Sequence, residues 1–224
     1  MIISSIISPK SLKDNIEQII LSLLGVNMLE KFKTYLQKNA EVDDKQFEVL
    51  SKYLKAQKIK KHTILLQPGE ICGHSFFVEK GLLRSYTMDD AGKEHVIQFA
   101  PENWIVSDRS SAYFNQPSDF FIDAIEDSEI VYLDKTFMEK AYEVSANYRG
   151  FTERALHNHI RHIQKRVSLL LGATAEQRYM DFIKLYPDLM LRVPQWMIAS
   201  YLGITPESLS RVRKELAKKH FKTD

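Results

Sequence analysis

The stretch QWMIASYLGITPESLSRVRKEL, residues 195–216, decides how this chain is read. Counting from Gln195, apolar side chains stand at the fourth, eighth, tenth, fifteenth and eighteenth places: Ile198, Leu202, Ile204, Leu209 and Val212. The fifth place is the small Ala199 and the ninth is Gly203. Two short helices that cross steeply need a small side chain where they approach and a left-handed backbone at the turn, which Ala and Gly supply. Thr205 carries the hydroxyl of an N-cap, and Pro206 suits a first helical turn, where a missing N–H costs nothing. The spacing therefore predicts a helix-turn-helix from Gln195 to about Lys214, its apolar set fastening the pair to the body of the molecule.

On the second predicted helix Glu207, Ser208, Ser210, Arg211 and Lys214 face outward, with Arg213 more lateral. Such a surface reaches base edges from its N-terminal turns and phosphates from its flanks. Arg211 is the candidate for a bidentate guanine contact, and Glu207 can accept from a cytosine amino group. Ser208 and Ser210 can serve bases or phosphates, while Arg213 and Lys214 are placed for phosphate; Thr205, at the helix start, completes the set. From Arg192 to Asp224, Lys and Arg exceed Asp and Glu by four, although the whole chain carries only +2. A DNA-binding face is thus local. The competing reading is a helical hairpin with a solvated basic face, against which stands the common register of cap, Gly turn, small residue and apolar positions.

Upstream, 147–171 is the longest helical pattern, and Leu156, Ile160, Ile163, Val167 and Leu170 fall at alternating spacings of four and three. That is the seam of a coiled coil, hence of a homodimer, or else a stripe buried on the chain's own β domain; a dimer helix that also roofs the β domain satisfies both. Ala173 to Tyr186 reads as one more helix, N-capped by Thr174 and ended before Pro187.

Between Lys58 and Leu133 the texture is short β-rich runs separated by turn signals, as in a sandwich or jelly roll. Gln67-Pro68-Gly69-Glu70 reads as a turn, Asp89 to Gly92 as a hairpin loop, and Gly81 as a close turn. Leu29 to Leu54 has helical spacing interrupted by polar residues from Asn39 to Lys45, so two helices are predicted. Residues 1–27 are open to two readings: an added helix with Ile16, Ile19, Ile20, Leu23 and Leu24 on one face, or an extension ahead of a start at Met28.

The predicted fold class is α+β, with a β jelly roll, a long dimerisation helix and a C-terminal, winged-helix-like helix-turn-helix. The divisions are 1–27, 28–146, 147–172 and 173–224. A length of 224 residues accommodates two cores, and 27% charged beside 44% apolar residues is ordinary globular composition. The single cysteine, Cys72, excludes an intramolecular disulfide and a four-thiolate iron–sulfur cluster within one chain, and it fits a reducing cytoplasm. No run approaches the roughly 18 apolar residues of a membrane span, and MIISSIIS lacks the leading basic residues of a secretion signal.

A β roll, a long dimer-type helix and a C-terminal helix-turn-helix, in that order, make the chain resemble the Crp/Fnr superfamily of transcription regulators from about Met28 onward. The resemblance rests on Gln67-Pro68-Gly69-Glu70, Val78-Glu79-Lys80-Gly81-Leu82-Leu83-Arg84, Asn103-Trp104-Ile105 and Ile198 to Glu215. The phrase IASYLGITPESLSRVRKEL looks like a subgroup common in Bacteroidetes-type members. What the resemblance implies is a cyclic-nucleotide-binding-like fold, an effector pocket between roll and long helix, double-stranded DNA as partner, and contact with RNA polymerase.

The candidate pocket set is Arg84, Ser107, Asp108, Arg109, Ser118, Asp119 and Ile163. Where nucleotide-binding members have Gly-Glu for the ribose and Arg-Ser for the cyclic phosphate, this chain has Ser107-Asp108 and Pro117-Ser118-Asp119. An Asp at the phosphate position repels an anion, which argues against cyclic AMP, although Arg109 can restore an anion site if it turns inward; otherwise it is a surface residue paired with Asp108. Any small-molecule effector is therefore of other chemistry. Cys72 with His74 sits off the pocket segment, reading as a buried thiol and a strand-end histidine rather than haem ligands. His157, His159 and His162 do not all share one helical face; His159 with His162 reads as a metal pair or, in preference, as a solvated or interface pair, so no metal or cofactor is expected. No nucleophile–base pair or phosphate loop stands at a workable spacing, so the chain is not read as an enzyme. The alternative function is a small-molecule-binding module whose helix-turn-helix no longer binds DNA.

Overall fold

The computed structural model describes residues 28–220; the two readings of 1–27 lie outside the described residues. Among the described residues two helices come first, α1 (Glu30–Ala40) and α2 (Asp44–Ser51). Asp43 starts α2 with a capping box: its carboxylate accepts the Gln46 N–H at 2.8 Å, and the Gln46 side chain accepts the Asp43 N–H at 2.9 Å. The second helix stops short of Leu54, whose N–H turns back onto the Ser51 carbonyl at 3.1 Å and leads into the first strand.

Eight strands follow among the described residues: β1 (Lys55–Ile59), β2 (Ile64–Leu66), β3 (Ser75–Lys80), β4 (Leu83–Met88), β5 (Glu94–Ala100), β6 (Ile105–Val106), β7 (Phe121–Ala124) and β8 (Ser128–Leu133). They form two antiparallel sheets, in the orders β1-β8-β3-β6 and β2-β7-β4-β5. The space between the sheets is filled by Ile59, Leu66, Phe76, Val78, Leu83, Ile122 and Ile130. Gly81 joins β3 to β4 at φ +97°, and a Cβ there would lie 2.2 Å from Ser128 Oγ, so only glycine fits. Gly69 and Gly92, at the predicted turns, also have positive φ.

A second core covers the outer face of the β3 sheet. Phe32 and Leu36 of α1 meet Phe77 together with Phe137 of α4 (Lys135–Val144) and Tyr148 and Phe151 at the start of α5 (Tyr148–Gly172). The buried Glu79 carboxylate fastens this layer by accepting the Phe32 and Lys31 N–H groups at 2.7 and 3.0 Å, near the exposed donors of the α1 start. The short α3 (Arg109–Phe114), capped by Asp108, interrupts the strands and carries no periodic pattern by which the sequence announces it.

At 25 residues, α5 extends about 38 Å at 1.5 Å per residue. It is followed by α6 (Ala175–Leu185), α7 (Leu189–Arg192), α8 (Gln195–Leu202) and α9 (Pro206–His220). Thr174 caps α6, its hydroxyl accepting the Gln177 N–H at 3.2 Å. Among the described residues no strand follows Leu133, and the described part of the C-terminal unit consists of helices. A third core belongs to both halves: Leu82, Val96, Phe99 and Ile125 of the roll pack with Tyr186, Met197, Ile198, Tyr201 and Leu209.

Candidate nucleic-acid interface

The helix pair is built as the spacing predicts. Gly203 closes α8 at φ 63°, ψ 38°, with its N–H on the Ala199 and Ser200 carbonyls. The Thr205 hydroxyl accepts the Ser208 N–H at 3.2 Å, which is the N-cap of α9. Ile198, Ala199, Leu202 and Leu209 are buried, so the inner faces of α8 and α9 are committed to packing. On the outer face Thr205, Glu207, Ser210, Arg211 and Lys214 are exposed, while Ser208 and Arg213 are half-buried. Hydrogen bonds from its own backbone N–H and then from Thr205 hold the Glu207 carboxylate below its ordinary pKa, so at neutral pH it only accepts. Lys219 ties the far part of α9 to Glu176 of α6 at 2.8 Å.

The pair does not hang free of the roll. β5 is the edge of its sheet, and side chains from the helices occupy that edge. Ser200 Oγ accepts the Val96 N–H at 3.0 Å and donates to the Glu94 carbonyl at 2.8 Å. Arg166 donates to the Val96 carbonyl at 3.1 Å, its guanidinium carbon 3.6 Å from the centre of the Tyr201 ring. Tyr186 donates its hydroxyl to the Phe99 carbonyl at 3.1 Å.

Arg192 forms a further polar junction, donating to Glu102 at 2.9 Å and to the Gly81 carbonyl at 3.0 Å while pairing with Glu126. Burial acts to raise the Glu102 pKa, but hydrogen bonds from Arg192 and the Gly81 N–H outweigh it and leave the carboxyl below its ordinary value. Sequence reading counted Arg192 only as charge and passed over Ser200, Tyr186 and Arg166. Their signal was a polar or aromatic residue inside an otherwise apolar helical pattern, which does not name a partner far along the chain.

The expected pocket set divides. Two cavities, of about 240 and 270 Å³, lie between the β6–α3 segment and the first half of α5, and both are lined by Ile105, Ser107, Arg109 and Ala155. Trp104 and His159 also face the first, and Tyr113, Met138 and Tyr142 the second. Burial, then Arg109 and His162, draw His159 below its ordinary pKa. Arg109 does not pair with Asp108; it lies 5.5 Å from the Tyr113 ring.

Asp108, Ser118 and Arg84 are engaged elsewhere. Asp108 is buried and caps α3 by accepting the Ser110 N–H at 2.9 Å. Ser118 is buried and pins the Pro-Gly-Glu turn: its carbonyl accepts the Gly69 N–H at 2.8 Å and its N–H donates to the Glu70 carbonyl at 2.9 Å. Arg84 does not meet Ser107 and Arg109. It is bidentate to Asp123 at 2.8 and 3.0 Å, pairs with Glu94, and lies 5.6 Å from the Trp196 ring at the junction with α8. Its partners come from neighbouring strands, which the motif around Gly81 did not reveal.

Asp119 is exposed, and Ile163 lines neither cavity. Ile163 instead continues the α5 stripe, in which Leu156, Ile160, Ile163, Val167 and Leu170 are each 39–48% exposed. Cys72 is half-buried, with burial pushing its thiol pKa up, and its Sγ is 3.6 Å from the His74 carbonyl. Among the described residues no three His, Cys, Asp or Glu side chains are arranged to hold a metal ion. Nor is any helix there long and apolar enough to cross a membrane.

Residues 56–145 match the cyclic nucleotide-binding domain, which is the class the two-sheet roll defines. Over 189 residues the chain is 23% identical to the anaerobic regulatory protein of Pasteurella multocida, covering 79% of this chain and 68% of that one. Among solved structures it resembles FixK2 from Bradyrhizobium japonicum, with a TM-score of 0.61 at 22% identity over 75% of this chain and 86% of the other. A regulator from Eubacterium rectale described as of the crp/fnr family aligns with a TM-score of 0.60 at 19% identity, over 83% and 88%. The roll, the long helix and the terminal helix pair together thus share the fold of FixK2 and of that crp/fnr-family regulator.

Proposed function

We propose that the chain is a sequence-specific transcription regulator of the Crp/Fnr type, binding double-stranded DNA as a homodimer in the cytoplasm. The observation that carries this is α9: its start is capped, one face is buried, and the other presents Glu207, Ser210, Arg211 and Lys214 to solvent. A second copy is the natural cover for the α5 stripe, because five apolar side chains in coiled-coil register are otherwise wet. The sequence of α8 and α9 supports assignment to the Bacteroidetes-type subgroup, and the family role implies RNA polymerase as a further partner. An effector, if one acts, has its best site in the cavities at Ser107 and Arg109; the place of the family's Arg-Ser pair is taken by a turn-pinning Ser118 and an exposed Asp119, which disfavours cyclic AMP.

Selection of bound duplexes from a random library tests this reading. It should return a two-fold site with half-sites about one helical turn apart, bound more weakly as salt rises. Ile160→Glu should convert dimer to monomer in sedimentation and abolish that site. Tight small-molecule binding with no DNA affinity would instead favour a module whose helix pair has lost its DNA role.

A further inference from the structure

A small cavity of about 20 Å³ lies where α5, α6 and α8 meet, lined by His162, Lys165, Arg166, Arg178 and Asp181 and walled by residues including Phe182 and Tyr201. Three of these side chains are cations at neutral pH and one is a carboxylate, already paired with Lys165. The surplus sits on Arg166 and Arg178. Arg178 donates Nη1 to the Leu202 carbonyl at 2.7 Å, but its Nε–H is buried and meets no acceptor. Buried polar groups are ordinarily satisfied, so this donor asks for an occupant.

Burial and then Arg166 pull His162 below its ordinary pKa, with Asp181 acting the other way, which agrees with a positive local potential. The volume exceeds the roughly 10–15 Å³ that one water-sized probe requires, so the site has room for a water molecule or a small ion. A water molecule satisfies the Nε–H and leaves the excess positive charge uncompensated; a small anion does both.

We propose that this cavity binds one monatomic anion of the chloride class, held against Arg178 and Arg166 beside the turn of the helix pair. The position gives it a mechanical role. A Cβ on Gly203 would lie 3.2 Å from Leu170 Cδ2 and 3.4 Å from Arg178 Nη1, so turn, long helix and Arg178 are packed together around the site. An anion there fastens α5 and α6 to the Leu202–Gly203 turn, whether or not the chain binds DNA.

The test is thermal melting of the full chain in sodium chloride, sodium bromide and sodium gluconate at equal ionic strength. Chloride and bromide should raise the midpoint saturably, by about 2–4 °C over gluconate. Arg178→Met should erase the difference, and the milder Lys165→Gln should reduce it should the first variant fail to fold. Crystals grown in bromide should show an anomalous peak in the cavity. Equal midpoints in the three salts, a halide effect unchanged in both variants, or a water with no anomalous signal would each overturn the proposal.

Discussion

The helix pair and the cavities beneath α5 are the two regions through which a regulator of this fold would write and read, and they are assembled in opposite ways. The first takes its defining residues from one stretch, Gln195 to Lys214, where spacing along the chain fixes which side chains are buried and which face out. The second brings Tyr35, Trp104, Ser107, Arg109 and His159 together from both halves of the sequence. A surface built from consecutive turns keeps its chemistry wherever the pair docks. A cavity built from distant strands and helices has its chemistry only when the whole fold is in place, and it responds to any shift of α5. The junction between the two regions decides how far they are independent, and the shared core of Phe99, Tyr186, Ile198 and Tyr201 makes them one unit.

That coupling can be broken at its apolar centre. Ile198→Ala removes a fully buried side chain from the shared core and should cost about 2–5 kcal/mol in denaturant unfolding. The two tryptophans, Trp104 near the roll and Trp196 on α8, should report the same lowered midpoint. Separate transitions for the two would show that roll and helix pair are independent.

The polar half of the junction is the next largest effect. Arg192→Met leaves Glu102 and Glu126 without their guanidinium and should cost about 1–3 kcal/mol, toward the lower end because the groups are partly screened by water. Glu102 has a lowered pKa in the folded state, so its contribution is complete above the ordinary carboxylate value of 4.5 and is lost as pH falls below it through the folded value. The stability gap between the parent chain and the variant should therefore narrow on acidification. A gap that stays constant would remove the ion pairs from the account.

The smallest effect is local to the helix pair. Thr205→Ala deletes the cap of α9 and should cost about 0.5–2 kcal/mol, with Thr205→Asp restoring most of it. Amide exchange should quicken in the first turn of α9 and stay unchanged in the roll. Equal quickening in both would show that the cap stabilises more than its own helix.

The same contrast explains what the sequence disclosed. Gly203, Thr205 and the buried positions of α8 and α9 were legible because helix period and cap chemistry act over a few residues. So were the turns at Gly69, Gly81 and Gly92, and the capping of α6 by Thr174. Arg84 was placed with the pocket, whereas the structure gives it to Asp123 and Glu94; pairing across strands has no local signature. Asp108 and Ser118 fell on the expected segment but bond to the backbone, one capping α3 through Oδ1 and the other pinning a turn. Ser107 and Arg109 alone among the expected set line the cavities. The five apolar side chains of the α5 stripe are exposed in the single chain, and the proposed homodimer would cover them.

The outward face of α9 is the central claim, and Arg211 tests it most directly. Fluorescence anisotropy on the selected two-fold duplex, comparing the parent chain with Arg211→Ala, should show about a 10- to 100-fold loss of affinity and relaxed preference at one base position, with the fold unchanged. Undiminished specific binding by Arg211→Ala, or a parent chain whose DNA binding does not weaken with salt, would contradict it.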